Sequence, residues 1–256
     1  MEETRINKYL SEKGICSRRE ADRLLKDGKI LVNGKIAEPG VKVNNGCNIE
    51  ILGQNIRDKA KPDPVVLVFN KPRGLVCTEG KKDRAPNIID YIGYESHIFP
   101  VGRLDKDSEG LILLTNIGEL VNRINKKQYG HEKEYLVRCR RKLTDEMICK
   151  LASGMRIEVP VQRKAGNTVK NVFEYRDTLP CKVRRVDDYT FDIILTQGFN
   201  RQIRRMCGAL GNSVTELKRI RIMNIELGNL KTGAYRKADK DELLSLFDQL
   251  NMKMPF

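Results

Sequence analysis

The stretch Val101-Gly-Arg-Leu-Asp-Lys-Asp-Ser-Glu-Gly-Leu-Ile-Leu-Leu-Thr-Asn116 constrains the chain more than any other. Leu111 to Leu114 form an unbroken apolar run of strand length, the mark of a buried strand. Directly before it stands a charged turn bracketed by Gly102 and Gly110, where the backbone bends without a Cβ penalty. Asp105 lies in that turn between the positive charges of Arg103 and Lys106. An ionised carboxylate in a loop ahead of a buried strand can act as nucleophile or general base. The plain alternative is a solvated charged turn with no chemistry.

A chain of 256 residues suits one large domain, or a large one with a small companion. Its net charge of +14 points to a polyanionic partner, nucleic acid first and a membrane surface second. No run of about 18 apolar residues is present, and the N-terminus lacks the apolar core of a signal peptide. The seven cysteines are scattered without zinc-ribbon spacing, and only His97 and His131 add imidazoles. The expectation is a cytoplasmic protein with free thiols, no metal site and no membrane partner.

In chain order, Thr4 to Leu52 reads as a compact N-terminal module. Ser17-Arg-Arg-Glu20 has the spacing of a capping box, Ala21, Leu24 and Leu25 follow at helical spacing, and Gly28 supplies the stop. Asn33-Gly34 between Ile30–Val32 and Lys35–Ala37 predicts a hairpin. Gly53 to Pro64 is polar with two prolines and reads as a linker. A larger domain begins at Val65 with a buried-type strand, then Asn70-Lys-Pro-Arg-Gly74; residues 81–97 read as irregular. Tyr135, Val137 and Cys139 alternate as in a strand, Thr144 caps a helix that ends at Gly154, and a basic, strand-rich section follows from Gln162 to Val186. On the helix expected from Arg201 to Leu210, Ile203, Met206, Cys207 and Leu210 share one face, and Arg201, Arg204 and Arg205 the other. Three arginines at a helix start oppose its dipole, so a negative partner explains them better than helix stability does. A final helix, Asp239 to Leu250, turns Leu243, Leu246, Phe247 and Leu250 inward.

Gly102-Arg-Leu-Asp105, Ser108 and Gly110-Leu-Ile-Leu-Leu-Thr-Asn116 fill every position of the signature of the small-subunit (RsuA-like) family of RNA pseudouridine synthases, which this chain resembles. Lys71-Pro72, Lys133-Glu-Tyr135 and Asn200-Arg-Gln-Ile-Arg-Arg-Met206 resemble that family's other motifs. The N-terminal Asn-Lys-Tyr-Leu, Cys-Ser-Arg-Arg-Glu-Ala-Asp and Val-Asn-Gly resemble the αL RNA-binding domain known from a small ribosomal protein. The resemblance spans nearly the whole chain and is nearest the large-subunit pseudouridine synthase F branch. It implies an α+β fold, with an αL domain over 4–52, a linker over 53–64 and a mixed, mainly antiparallel-sheet catalytic domain over 65–250. It further implies that Asp105 is the catalytic aspartate, that Tyr135 packs on the target base and that Arg204 pairs with Asp105.

The implied reaction converts a uridine of ribosomal RNA, most directly 23S, to pseudouridine, with a tRNA as a second substrate class and no cofactor. Lys8, Arg18, Arg19, Lys71, Arg103, Arg201 and Arg205 are the expected RNA contacts, Lys71 being read equally as a support of the active-site wall, and a monomer is expected. Two rivals stand beside this reading. A non-catalytic RNA-binding or assembly factor would be free to lose Asp105, Tyr135 and Arg204. A glycoside-cleaving enzyme needs a protonated acid opposite its nucleophile, and no second carboxylate has an evident setting for that role.

Overall fold

The structure is a computed structural model that describes residues 3–56, 62–77, 85–126, 129–165 and 168–255, and the side chains of these apart from 163–171. The N-terminal module holds β1 (Thr4–Arg5), α1 (Ile6–Glu12), α2 (Arg18–Lys26), β2 (Ile30–Val32), β3 (Lys35–Ile36), β4 (Lys42–Val43), β5 (Ile49–Ile51) and β6 (Gln54–Asn55). The larger part begins with β7 (Val66–Lys71), α3 (Ile88–Ile92), β8 (Phe99–Pro100), β9 (Glu109–Thr115), α4 (Gly118–Asn125) and β10 (Lys133–Cys139). It continues through α5 (Asp145–Ser153), β11 (Arg156–Ala165), β12 (Thr168–Asp177), β13 (Lys182–Arg185), β14 (Thr190–Leu195) and α6 (Gln202–Ala209). It closes with β15 (Val214–Ile222), β16 (Ile225–Glu226), β17 (Tyr235–Lys237) and α7 (Lys240–Gln249).

Local chemistry explains most of these elements. Ser17 accepts from the Glu20 amide at 3.2 Å, although the Glu20 carboxylate turns to Arg23 rather than back to the cap. Asn33 and Gly34 both adopt positive φ, as a tight hairpin turn requires. Thr144 caps α5, and Asp239 with Glu242 forms a full capping box on α7. Two readings change. The stretch 81–97 is not wholly irregular: Asn87 accepts from two amides and starts α3. The N-terminal core takes in Ile56, so β6 falls in the stretch read as linker. Residues 57–61 of that stretch lie outside the described residues.

The main sheet has the order β13-β14-β10-β15-β9-β7-β17, with β8 on β9 and β16 on β15. Its pairings are antiparallel except one, the short parallel junction of β15 with β9 at Lys218↔Glu109 and Arg219↔Gly110. Strand β9 is apolar without alternation because both faces are covered. Leu111 and Leu113 pack with α4 and α7, while Ile112 and Leu114 pack with Ile88 and Phe69. Beyond the junction, Val137, Cys139, Phe191 and Ile193 form a separate core with α5 and α6. The expected catalytic loop therefore ends where two half-sheets meet. The section 162–186 resolves into the β11–β12 ribbon, paired from Arg156↔Asp177 to Ala165↔Thr168, and β13.

Candidate active site

Residues 101–109 form a loop held at many points by main-chain atoms. The Val101 amide donates to Leu113 O at 2.8 Å, the Gly74 amide to Lys106 O at 2.9 Å, and the Ser108 amide to Asp105 O at 3.0 Å. The Arg219 guanidinium donates to Leu111 O at 2.6 Å and to Arg103 O at 3.4 Å. Gly110, at φ +103°, is where β9 crosses β15: a Cβ there would lie against the Arg219 carbonyl and 2.7 Å from its amide nitrogen. Only glycine fits that approach. The loop thus presents the Asp105 carboxylate, 33% exposed, from a fixed backbone.

The arginines of the third motif divide their work differently from the sequence-based expectation. Arg204 does not reach the Asp105 carboxylate. It donates to Asp107 O at 3.1 Å, Val214 O at 3.0 Å and Ser108 Oγ at 3.4 Å, fastening the loop to α6 and β15. Arg201 makes the ion pairs, at 3.8 Å to Asp105 and 3.4 Å to Asp107. Arg201 is the left-handed N-cap of α6 (φ 53°), so it leaves the helical face that periodicity gave it. Arg205 is tied to Asn200 O and Glu158 O, a contact within the protein where a phosphate contact was expected. Of the two readings of Lys71, RNA contact falls and wall support holds. Lys71 is 0% exposed, and its ammonium donates to Pro72 O at 2.9 Å and Leu75 O at 3.0 Å. It braces the wall behind Asp105 and cannot meet RNA; burial pushes its pKa down.

Facing the loop are β10 and β15. Their pairing runs Glu134↔Arg221 and then Tyr135↔Arg219, a bulge that inserts Ile220. Residues two apart in a strand normally share a face, but the extra residue sends Arg219 and Arg221 to opposite faces. Arg221 joins Glu134 at 2.5 Å and Glu132 at 2.9 Å on one face. Arg219 joins Tyr135 on the other, its guanidinium 6.0 Å from the ring centre.

Asp105, Tyr135, Arg201 and Arg219 line one cavity of about 470 Å³, together with Arg103, Lys133 and His131. That volume lies within the range of about 300–1,000 Å³ typical of small-molecule sites. Sequence reasoning placed Asp105 and Tyr135 here, and gave Arg103 and Arg201 as RNA contacts. It missed Lys133, Arg219 and His131. For Lys133 the signal was available, since it alternates with Tyr135 on the same strand. Burial and the Arg219 charge lower the Lys133 pKa to about 8, and burial with the Lys133 charge lowers that of His131. Among the described residues, Arg219 Nη2 and His131 Nε2 are buried without a hydrogen-bond partner.

A second cavity of about 600 Å³ lies between the N-terminal module and the larger part. Arg18 and Arg19 line it from α2, and it shares Gly102, Arg103 and Asn125 with the first. Lys8 stands apart on α1, paired with Glu12 at 3.6 Å. Among the described residues, no cluster of three or more metal-ligating side chains is present, and no helix is long and apolar enough to cross a membrane.

Comparison with known proteins accords with this geometry. The model of the RNA pseudouridylate synthase family matches residues 65–209, and that of the S4 domain residues 4–46. The chain is 44% identical over 246 residues to the dual-specificity RNA pseudouridine synthase RluF of Salmonella typhi, covering 95% of this chain and 78% of that protein. It is 32% identical over 244 residues to the ribosomal large subunit pseudouridine synthase B of Bacillus subtilis (strain 168), covering 94% and 95%. A crystal structure of a pseudouridylate synthase is similar with a TM-score of 0.64 at 27% identity, covering 94% of this chain and 99% of that one.

Proposed function

We propose, from the premise that this chain belongs to the RNA pseudouridylate synthase family, that Asp105 is its nucleophile and a 23S ribosomal RNA uridine its main target. The protein is an RNA pseudouridine synthase, an isomerase, with an N-terminal S4 domain. A transfer RNA is the second substrate class in this reading, supported by 44% identity to a relative named dual-specificity. The observation that carries the assignment of Asp105 is convergence: Tyr135, Arg201 and Arg219, 30, 96 and 114 positions further along the chain, meet it around one cavity.

The isomerisation breaks the N1–C1′ bond, turns the uracil and joins C5 to C1′. One proton leaves C5 and one reaches N1, so the atoms balance without a co-reactant. Asp105 faces the cavity and supplies the electron-rich oxygen that meets the substrate. Arg201 holds that carboxylate by charge, and Arg204 acts one step removed, fixing the loop that carries it. Tyr135 offers a ring face for the base. A base inside a helix cannot reach the cavity, so the target uridine is unstacked or flipped out.

In the same reading the units are the S4 module over 4–52 and the catalytic domain over 65–250, acting as a monomer in the cytoplasm. Arg18, Arg19 and Arg103 border the second cavity and guide the RNA backbone toward the first. The test is pseudouridine mapping on unmodified 23S ribosomal RNA with wild type and Asp105→Asn. A new site with wild type and a loss of roughly 10⁴-fold in the variant is expected; equal modification by both removes Asp105 from its role. RNA affinity should fall steeply with added salt, and less steeply after Arg18→Gln and Arg19→Gln. Filter binding across a salt series measures both slopes.

A further inference from the structure

We infer that Lys133 is a second reacting-site residue, whose ammonium donates to a carbonyl oxygen of the target uracil and carries the negative charge of the base while it is detached. The inference rests on the assignment of the cavity above. Cleavage of N1–C1′ with Asp105 taking the sugar carbon leaves the bonding electron pair on the uracil. That charge spreads over N1, O2 and O4, so the base in transit is an anion rich in acceptors. The cavity has to provide donors for it, and a carboxylate beside the base would oppose it.

Lys133 meets that requirement by position. It stands two residues before Tyr135 on β10, so both side chains leave the same face of the strand toward the cavity. Among the described residues its Nζ makes one long bond of 3.4 Å, to the His131 carbonyl. The charged groups that line the cavity with it are Arg219 from β15, Lys126 after α4, Arg103 and Asp105 from the loop, and Arg201 before α6. Asp105, the carboxylate among them, pairs with Arg201. Among the described residues no carboxylate forms an ion pair with Lys133, which is partly buried beside the Arg219 charge. Among the described residues the ammonium thus has one weak acceptor, and the substrate supplies a better one.

The ammonium also suits the motion. The uracil turns before C5 can reach C1′, and its oxygens sweep past the wall. A compact ammonium with three rotatable donors can follow an oxygen through that turn, whereas a planar guanidinium fixes one direction. This is a role for the charged form of Lys133, which is present below about pH 8 and lost above it.

The experiment is single-turnover pseudouridine formation from pH 6 to 9.5 with wild type, Lys133→Met and Lys133→Arg, alongside RNA dissociation constants. Wild type should lose rate above about pH 8. Lys133→Met should be slower by about a hundredfold at pH 7, with RNA affinity changed less than about threefold. Lys133→Arg should be intermediate at pH 7 and keep its rate above pH 8; a loss that persists there with both variants belongs to the RNA or another group and overturns the inference. So does a Met variant within about threefold of wild type. If the Met variant does not fold, the wild-type and Arg profiles decide on their own. Wild type that forms no pseudouridine on any RNA would instead overturn the parent reading.

Discussion

Strand β10 carries two faces of opposite character. On one, Glu132 at its approach and Glu134 meet Arg221 at 2.9 and 2.5 Å, Lys182 stands 3.7 Å from Glu132, and Arg184 pairs with Asp192 at 3.5 Å. Opposite charges balance, and the Arg221 hydrogen bond holds the Glu132 carboxyl below the usual carboxylate range. On the other face, one residue along, Lys133 and Tyr135 stand with Arg219 and His131, whose Nη2 and Nε2 have no hydrogen-bond partner among the described residues. The same strand, pairing the same neighbours, sets acids against bases on one side, with Asp192 Oδ1 left over, and gathers bases around the cavity on the other. Closed charges hold a fold together. Open ones cost stability and are kept where a ligand completes them.

The comparison breaks most severely where both faces are joined. Gly110→Ala puts a Cβ into the Arg219 backbone at φ +103°; a loss of roughly 3 kcal/mol or more is expected, read from the urea midpoint. Arg221→Met opens the closed face and strands Glu134 with Glu132. About 2 kcal/mol of stability should be lost, with pseudouridine formation per folded molecule unchanged. Lys133→Met should do the reverse: stability within about 1 kcal/mol of wild type, or higher, because a desolvated cation is gone, while the reaction slows. A Lys133→Met variant as destabilised as Arg221→Met would erase the distinction. The smallest effect is Glu132→Gln, under about 1 kcal/mol near neutral pH because the pair is partly exposed. A carboxyl with a lowered folded-state pKa stabilises above its unfolded value, and that contribution disappears as pH falls through the folded one. The difference between wild type and Glu132→Gln should thus shrink from pH 6 to pH 3 in denaturant melts.

What could be read in advance follows from how local each signal is. The unbroken Leu111–Leu114 run, the Thr144 and Asp239 caps and the Asn33-Gly34 turn report their structure within a few residues. Asp105 and Tyr135 were legible because motif residues marked them. The division between Arg201 and Arg204 was not, since it depends on Arg201 taking a left-handed conformation that a helical wheel cannot show. Nor was the place of Arg219: period-two reasoning puts it beside Arg221, and only the bulge at Ile220 separates them. Lys71 was open in the sequence between wall support and RNA contact, because a motif does not show burial; two backbone carbonyls satisfy it inside.

The crossing of Gly110 over Arg219 gives the enzyme a fixed datum. The loop bearing Asp105 is gauged against main chain at the middle of the sheet, with the Arg219 and Arg201 side chains as further ties. Lining residues that do not tie the loop can then drift, and with them the RNA that is preferred, without resetting where Asp105 stands. The same scaffold can be retuned for a new uridine by changes that never touch the reference point.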